Sequence, residues 1–248
     1  MNTINSFLIT TLAGLSTIIG IIPCFINSSK KEHLIASSLA FSSGIMITIS
    51  LISLIPEATT LLTNTYKQFP SFLICSIFVI VGILISTTID EKIERKLNKS
   101  RLYKLGLITT ITLILHNIPE GITTFLSATA NEYLGIKLSL AIALHNIPEG
   151  ISIAIPIYYS TKNKFKTFMY TLIAGFSETI GALLAYIFLK NIITPTILSI
   201  TLAITAGIMI SISVYEFLPE SYSYKKNKAT IYYFVLGILI MFLSEIFL

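Results

Sequence analysis

The sequence predicts an all-α polytopic membrane protein: eight transmembrane helices in a 3+2+3 arrangement with an inverted repeat, one integral-membrane domain over residues 1–248. Three observations carry this. The chain is 54% hydrophobic and only 12% charged, with a mean hydropathy of +0.83, so the polar surface of a soluble fold is missing. Apolar runs of about 20 residues, enough to cross a bilayer as a helix, recur eight times. Two distant segments also repeat each other.

The first run, Asn5–Ile26, has no basic residue ahead of it and is too long for a signal-peptide core. It reads as a retained helix. His33–Ile55 and Ser71–Ile89 follow, then a polar stretch at about 90–104 that reads as a cytoplasmic loop. Leu105–Leu126 and Leu138–Tyr158 form a central pair, and Phe168–Leu189, Ile197–Leu218 and Thr230–Phe247 close the series. Cys24 and Cys75 both fall inside spans with no CxxC pairing, which predicts free thiols.

Every Lys and Arg is expected in a loop. Fourteen of the 17 lie after the first, third, fifth and seventh spans, and three after the second, fourth and sixth. Basic residues favour the cytoplasmic side, so the first set is placed there and both termini outside. The charge is therefore topogenic. The mixed signs of "EKIERKLNKSRLYK", between two spans, favour a solvated loop over a nucleic-acid patch.

The internal repeat pairs Ser42–Ala58, "SSGIMITISLISLIPEA", with Thr205–Ser221, "TAGIMISISVYEFLPES", identical at eight of 17 positions and offset by 163 residues. These segments belong to the second and seventh spans, which run in opposite directions. "HNIPEG" occurs at His116–Gly121 and again at His145–Gly150, in the fourth and fifth spans, also opposed. Inverted repeats of this kind are common in transporters, with the substrate site near the bilayer midplane.

Helical spacing sets His116 and Glu120 four residues apart on one face, with Asn117 close by; His145, Asn146 and Glu149 follow suit. Pro119 and Pro148 withhold an N–H, freeing the carbonyls of Leu115 and Leu144 and predicting a kink. Glu178, in "AGFSETIGALLA", falls at the same depth. A lone carboxylate at the bilayer centre costs at least about 3 kcal/mol. No Lys or Arg lies in any span to neutralise these three, which leaves protons or metal ions. Imidazole nitrogen with carboxylate oxygen suits zinc, iron(II), manganese, cobalt or cadmium.

Eight spans, the basic third loop, paired "HNIPEG" and "SETIGA" resemble the ZIP family of divalent-metal transporters, most closely its bacterial ZupT-like members. The resemblance covers nearly the whole chain. It implies a metal centre between the fourth, fifth and sixth spans, described as two adjacent sites sharing carboxylates. By motif, His116, Asn117, Glu120, Asn146, Glu149 and Glu178 are the ligand candidates, with His145 at a variable position and Met46 as a thioether from the second span. It also implies zinc as transported substrate, no catalytic cofactor, a plasma-membrane location, surrounding lipid and a homodimer. The chain departs from the family in two places: the third loop has no histidine, and Asn146 stands where some members have Asp.

Glu57 and Glu220, repeat partners at opposite mouths, are read as solvated helix ends or as carboxylates that collect metal. Glu216 is placed on the inner path or at the interface. His33 is read as interfacial, or as a residue of metal exit. Two other functions compete. An intramembrane metalloenzyme lacks its HExxH signature here. A proton-conducting subunit would use the same carboxylates without needing the histidines and amides.

Overall fold

The computed structural model describes residues 3–25, 31–188 and 194–247. Eight helices long and apolar enough to cross a membrane run through them. They are α1 (Thr3–Phe25), α2 (Lys31–Thr63), α3 (Gln68–Lys96), α4 (Arg101–Ala130), α5 (Glu132–Thr161), α6 (Lys164–Phe188), α7 (Pro195–Ser223) and α8 (Asn227–Phe247). Ile26, Lys30, Leu189 and Lys190, used above to place spans and charges, lie outside the described residues.

The helices outrun their apolar spans, which corrects the expectation that every basic residue falls in a loop. Lys92 and Arg95 sit on the last turns of α3, and Arg101 and Lys104 on the first turn of α4. Of the stretch at 90–104, only residues 97–100 are not helical. The reason is local. Glu91 and Arg95, four residues apart, pair at 3.2 Å and support the helix end. The Ser100 side chain then caps α4 by accepting from the Tyr103 N–H.

The helices form two groups. α1, α4, α5 and α6 pack on one another; α2 packs on α8 and α3 on α7, with α2 and α7 in contact. Across the groups, α2 meets α5 and α7 meets α4. α3 and α8 are the most exposed helices, and α4 is the most enclosed.

The repeat seen in the sequence is a repeat of structure. Gly44 of α2 meets the Phe234 carbonyl and Gly237 of α8 meets the Phe41 carbonyl, so close that no Cβ would fit. Gly207 of α7 and Gly82 of α3 meet the carbonyls of Val79 and Ile204 in the same way. Gly44 and Gly207 are 163 residues apart, as are Phe41 and Ile204, so α2–α8 and α7–α3 are one crossing made twice. A π-helical turn occupies Ser50–Leu54 in α2 and Ile212–Phe217 in α7. Each turn closes with the same wide hydrogen bond, Ile55 N–H to the Ser50 carbonyl and Leu218 N–H to the Ser213 carbonyl. Pro56 and Pro219 follow at once, and the wider register absorbs the donor each lacks.

Pro119 and Pro148 lie inside continuous helices. Cys24 and Cys75 are free and buried.

Candidate metal centre

Both "HNIPEG" motifs and the centre of α6 meet in the interior. His116, Asn117, Glu120, His145, Asn146, Glu149 and Glu178 are all at most 5% exposed. Among the described residues no Lys or Arg is buried beside them.

Two glycines allow this approach. A Cβ on Gly121 of α4 would collide with the Glu178 carbonyl of α6, and one on Gly150 of α5 with the Thr17 carbonyl of α1. Each "HNIPEG" thus ends in the residue that lets a neighbouring backbone come against it. A tightened 3-10 stretch of α1, Ser16–Ile21, packs against α5.

The ligand-type atoms converge. His116 Nε2 lies 3.1 Å from Glu120 Oε1 and 3.3 Å from Glu149 Oε1. His145 Nε2 lies 3.1 Å from the same Glu120 oxygen. Ligand atoms of His116, His145 and Glu149 all lie within 4.8 Å of one another. The His116 contacts are at ion-pair distance but lack hydrogen-bond alignment, for His116 Nε2 and both Glu149 oxygens have no hydrogen-bond partner. Glu120 Oε2 and Glu178 Oε2 are equally orphaned.

The two asparagines hold the cluster to its walls. Asn117 Nδ2 donates to the Ala174 carbonyl of α6 at 3.0 Å. Asn146 Nδ2 donates to the Ala13 carbonyl of α1 at 2.9 Å and to Glu178 Oε1 at 2.5 Å. Each amide spends its donor on the wall and keeps a buried, unpartnered oxygen. Buried polar atoms of this kind are normally satisfied. A cation would satisfy the carboxylate and amide oxygens together.

The part played by α1 is absent from the sequence reading above, although a signal exists. "LAGLSTIIGI", residues 12–21, matches "IAGFSETIGA", residues 173–182, at five of ten positions. Ser16 and Ser177 bond the carbonyls of Ala13 and Ala174, the same carbonyls that receive Asn146 and Asn117. α1 is therefore the repeat of α6, and Thr17 stands at the position of Glu178. By sequence position the cluster is symmetric except for that one carboxylate; its contacts are not, for Glu120 lies 3.1 Å from both histidines while Glu149 lies 3.3 Å from His116.

Met46 is fully buried in the apolar core of α2. A cavity of about 380 Å³ reaches Glu120 and His145 from the face where α2, α4 and α8 end; Glu57, Lys137 and Glu245 line it. Lys137 and Glu245 of this vestibule are further residues that the sequence reading did not single out. Glu57 is exposed there. Glu220, expected at a solvated helix end, is instead buried and lies 3.0 Å from Arg101. Glu216 falls within the π-helical turn of α7. His33, at the first turn of α2, has its Nδ1 3.2 Å from Ser37 Oγ and its ring edge-on to Tyr233.

An all-helical membrane bundle with acids and imidazoles buried at its centre has the form of a transporter of divalent metal ions. The profile of the family described as "ZIP Zinc transporter" matches residues 86–245. The chain is 35% identical over 252 residues to zinc transporter ZupT of Streptococcus mutans, covering 96% of each protein. It is 36% identical over 259 residues to zinc transporter ZupT of Chlorobium luteolum, covering 98% of this chain and 97% of that one. It is 34% identical over 275 residues to that of Campylobacter jejuni, covering 96% and 94%. The chain belongs to the ZIP family of metal transporters. It is thus a multi-pass membrane transporter of divalent metal ions and not an enzyme.

Proposed function

We infer that the chain carries zinc into the cytoplasm across the plasma membrane, with iron, manganese, cobalt or cadmium as lesser substrates. The observation that supports this best is the cluster of three buried glutamates and two histidines with, among the described residues, no buried Lys or Arg beside it. Such a set needs a cation, and its mix of nitrogen and oxygen fits zinc. His116, Glu120, His145 and Glu149 compose the main position. Asn117, Asn146 and Glu178 compose its neighbour, and Met46 offers a supplementary thioether from α2.

Orientation is read from charge. The basic helix ends are assigned to the cytoplasm, so both termini and the vestibule of Glu57, Lys137 and Glu245 face outside. Ions would enter by the vestibule and meet Glu120 and His145 first. α3 and α8 present exposed Phe69, Phe72, Ile77, Ile231, Leu239 and Leu243, apolar surface suited to lipid and to a second copy in a homodimer.

The test is purified protein in liposomes that enclose a metal-sensitive dye. Zinc added outside should raise the signal, and Glu149→Gln should not. A wild-type protein that moves protons but no zinc would overturn the reading.

A further inference from the structure

Glu57 and Glu220 occupy one position of the repeat, 163 residues apart, and the structure holds them in opposite states. Glu57 is exposed in the open vestibule. Glu220 is buried at the other end of the molecule, with Oε2 3.0 Å from Arg101 Nε and Oε1 accepting from the Tyr224 hydroxyl at 3.2 Å. Burial, then the charge of Glu220, pushes the Tyr224 phenol above its usual range, so it stays a donor.

Arg101 opens α4 and Glu220 closes α7. Their ion pair therefore ties one helix group to the other at the basic face. The repeat maps α4 onto α5 and α7 onto α2. Its image on the opposite face is a pair between α5 and α2, where the vestibule holds Lys137 of α5 and Glu57 of α2. Lys137 is not at the repeat position of Arg101, which is Ala130, but it is the cation that α5 brings to this cavity. Lys137 and Glu57 line the same space and form no ion pair with each other.

We propose that Arg101–Glu220 is a latch across the basic face, and that Lys137 and Glu57 form its counterpart on the opposite face, one pair closing as the other parts. The proposal rests on the transport reading above. A carrier with inverted repeats opens one face at a time, and alternating pairs across the two groups enforce that exclusion. Arg101 is 60% exposed at its side chain, so the pair is weak enough to break. Glu220, left alone, would be a buried unpaired charge, which favours its exposure once Arg101 withdraws.

The test uses Ala141→Cys as a reporter, in full-length protein with Cys24 and Cys75 replaced. Ala141 lines the vestibule one helical turn before His145. Labelling by a charged, membrane-impermeant thiol reagent is timed in intact cells and in inverted vesicles, which fixes the side that the vestibule faces. Arg101→Gln and Glu220→Gln should slow labelling roughly two- to fivefold, as expected for the loss of a half-exposed ion pair. Lys137→Gln and Glu57→Gln should speed it by a similar factor, and a wild-type rate in both overturns their pairing. Arg101→Lys, which keeps the charge, should keep the wild-type rate. Should Glu220→Gln fail to reach the membrane, the exposed Arg101 decides the matter alone. Labelling of Arg101→Gln at the wild-type rate, or all four variants shifting in one direction, overturns the latch. Wild-type zinc uptake is measured alongside: no uptake fails the transport reading, whereas uptake with an unmoved labelling pattern fails the latch only.

Discussion

Asn117 and Asn146 make the same hydrogen bond in mirrored places, Asn117 to the Ala174 carbonyl at 3.0 Å and Asn146 to the Ala13 carbonyl at 2.9 Å. Each pins its "HNIPEG" helix to a repeat-related wall. What differs is the residue four positions along that wall, Glu178 on α6 and Thr17 on α1. A symmetric frame thus holds an asymmetric set of charges, and the expected effects of mutation follow from that asymmetry.

Glu149 has both oxygens buried without a hydrogen-bond partner. Glu149→Gln keeps the volume and removes the charge. Zinc uptake should fall at least about tenfold, the low end for losing a group that supports a metal ligand set, at unchanged membrane abundance. Near-normal uptake would remove Glu149 from the ligand set.

His116→Ala removes the nitrogen that lies within 3.3 Å of two carboxylates. Uptake should weaken, and the preference should move from zinc towards manganese, which favours oxygen ligands. Uptake from a panel of metals would show this; an unchanged ranking would count against His116 as a ligand.

Gly121→Ala places a methyl group against the Glu178 carbonyl. Both partners are enclosed backbone, so the helices must part. The cost should reach about 1–3 kcal/mol, typical of overpacking, read as a lowered melting temperature in detergent. A wild-type melting temperature would show that α4 and α6 do not meet there.

Cysteine tags at residues 2 and 248 should label from outside intact cells, and a tag at Lys99 should not. The reverse pattern would invert the orientation drawn from the distribution of Lys and Arg.

Much of this was legible in the sequence, because a bilayer demands long apolar runs and penalises buried charge. The eight spans, the α2–α7 repeat and the gathering of the two "HNIPEG" motifs with Glu178 follow from those two demands. Helix ends were not legible, since the Glu91–Arg95 pair and the Ser100 cap extend α3 and α4 through polar sequence that hydropathy reads as loop. The role of α1 was hidden because its repeat of α6 is carried by small residues, Ala13, Gly14, Ser16 and Gly20, common in any membrane helix. Glu220 looked solvated at a helix end; the packing of the last turns of α7 against α2 and α8 buries it, and the start of α4 brings Arg101.

Asn146→Asp tests the charge of the centre most directly. Glu120, Glu149 and Glu178, all ionised, carry three negative charges; one divalent cation leaves one negative, and two leave one positive. Excess positive charge in a low-dielectric interior is costly, so the wild type should fill one position well and its neighbour poorly. An aspartate would bring the two-metal state to neutrality. It would also lose the amide donor that now serves the Ala13 carbonyl and Glu178 Oε1. A second carboxylate would then face Glu178 at close range. The metal-free variant should therefore be less stable than the wild type by about 1–3 kcal/mol, the usual cost of unsatisfied buried groups. Zinc should restore it by more than it stabilises the wild type, because only bound cation relieves the new repulsion. Melting temperatures with and without zinc, beside equilibrium titration of bound metal, separate the two effects. The expected result is a lower metal-free melting temperature and a zinc stoichiometry rising from about one towards two. Two equally filled positions in the wild type, with no gain in Asn146→Asp, would sink the charge account.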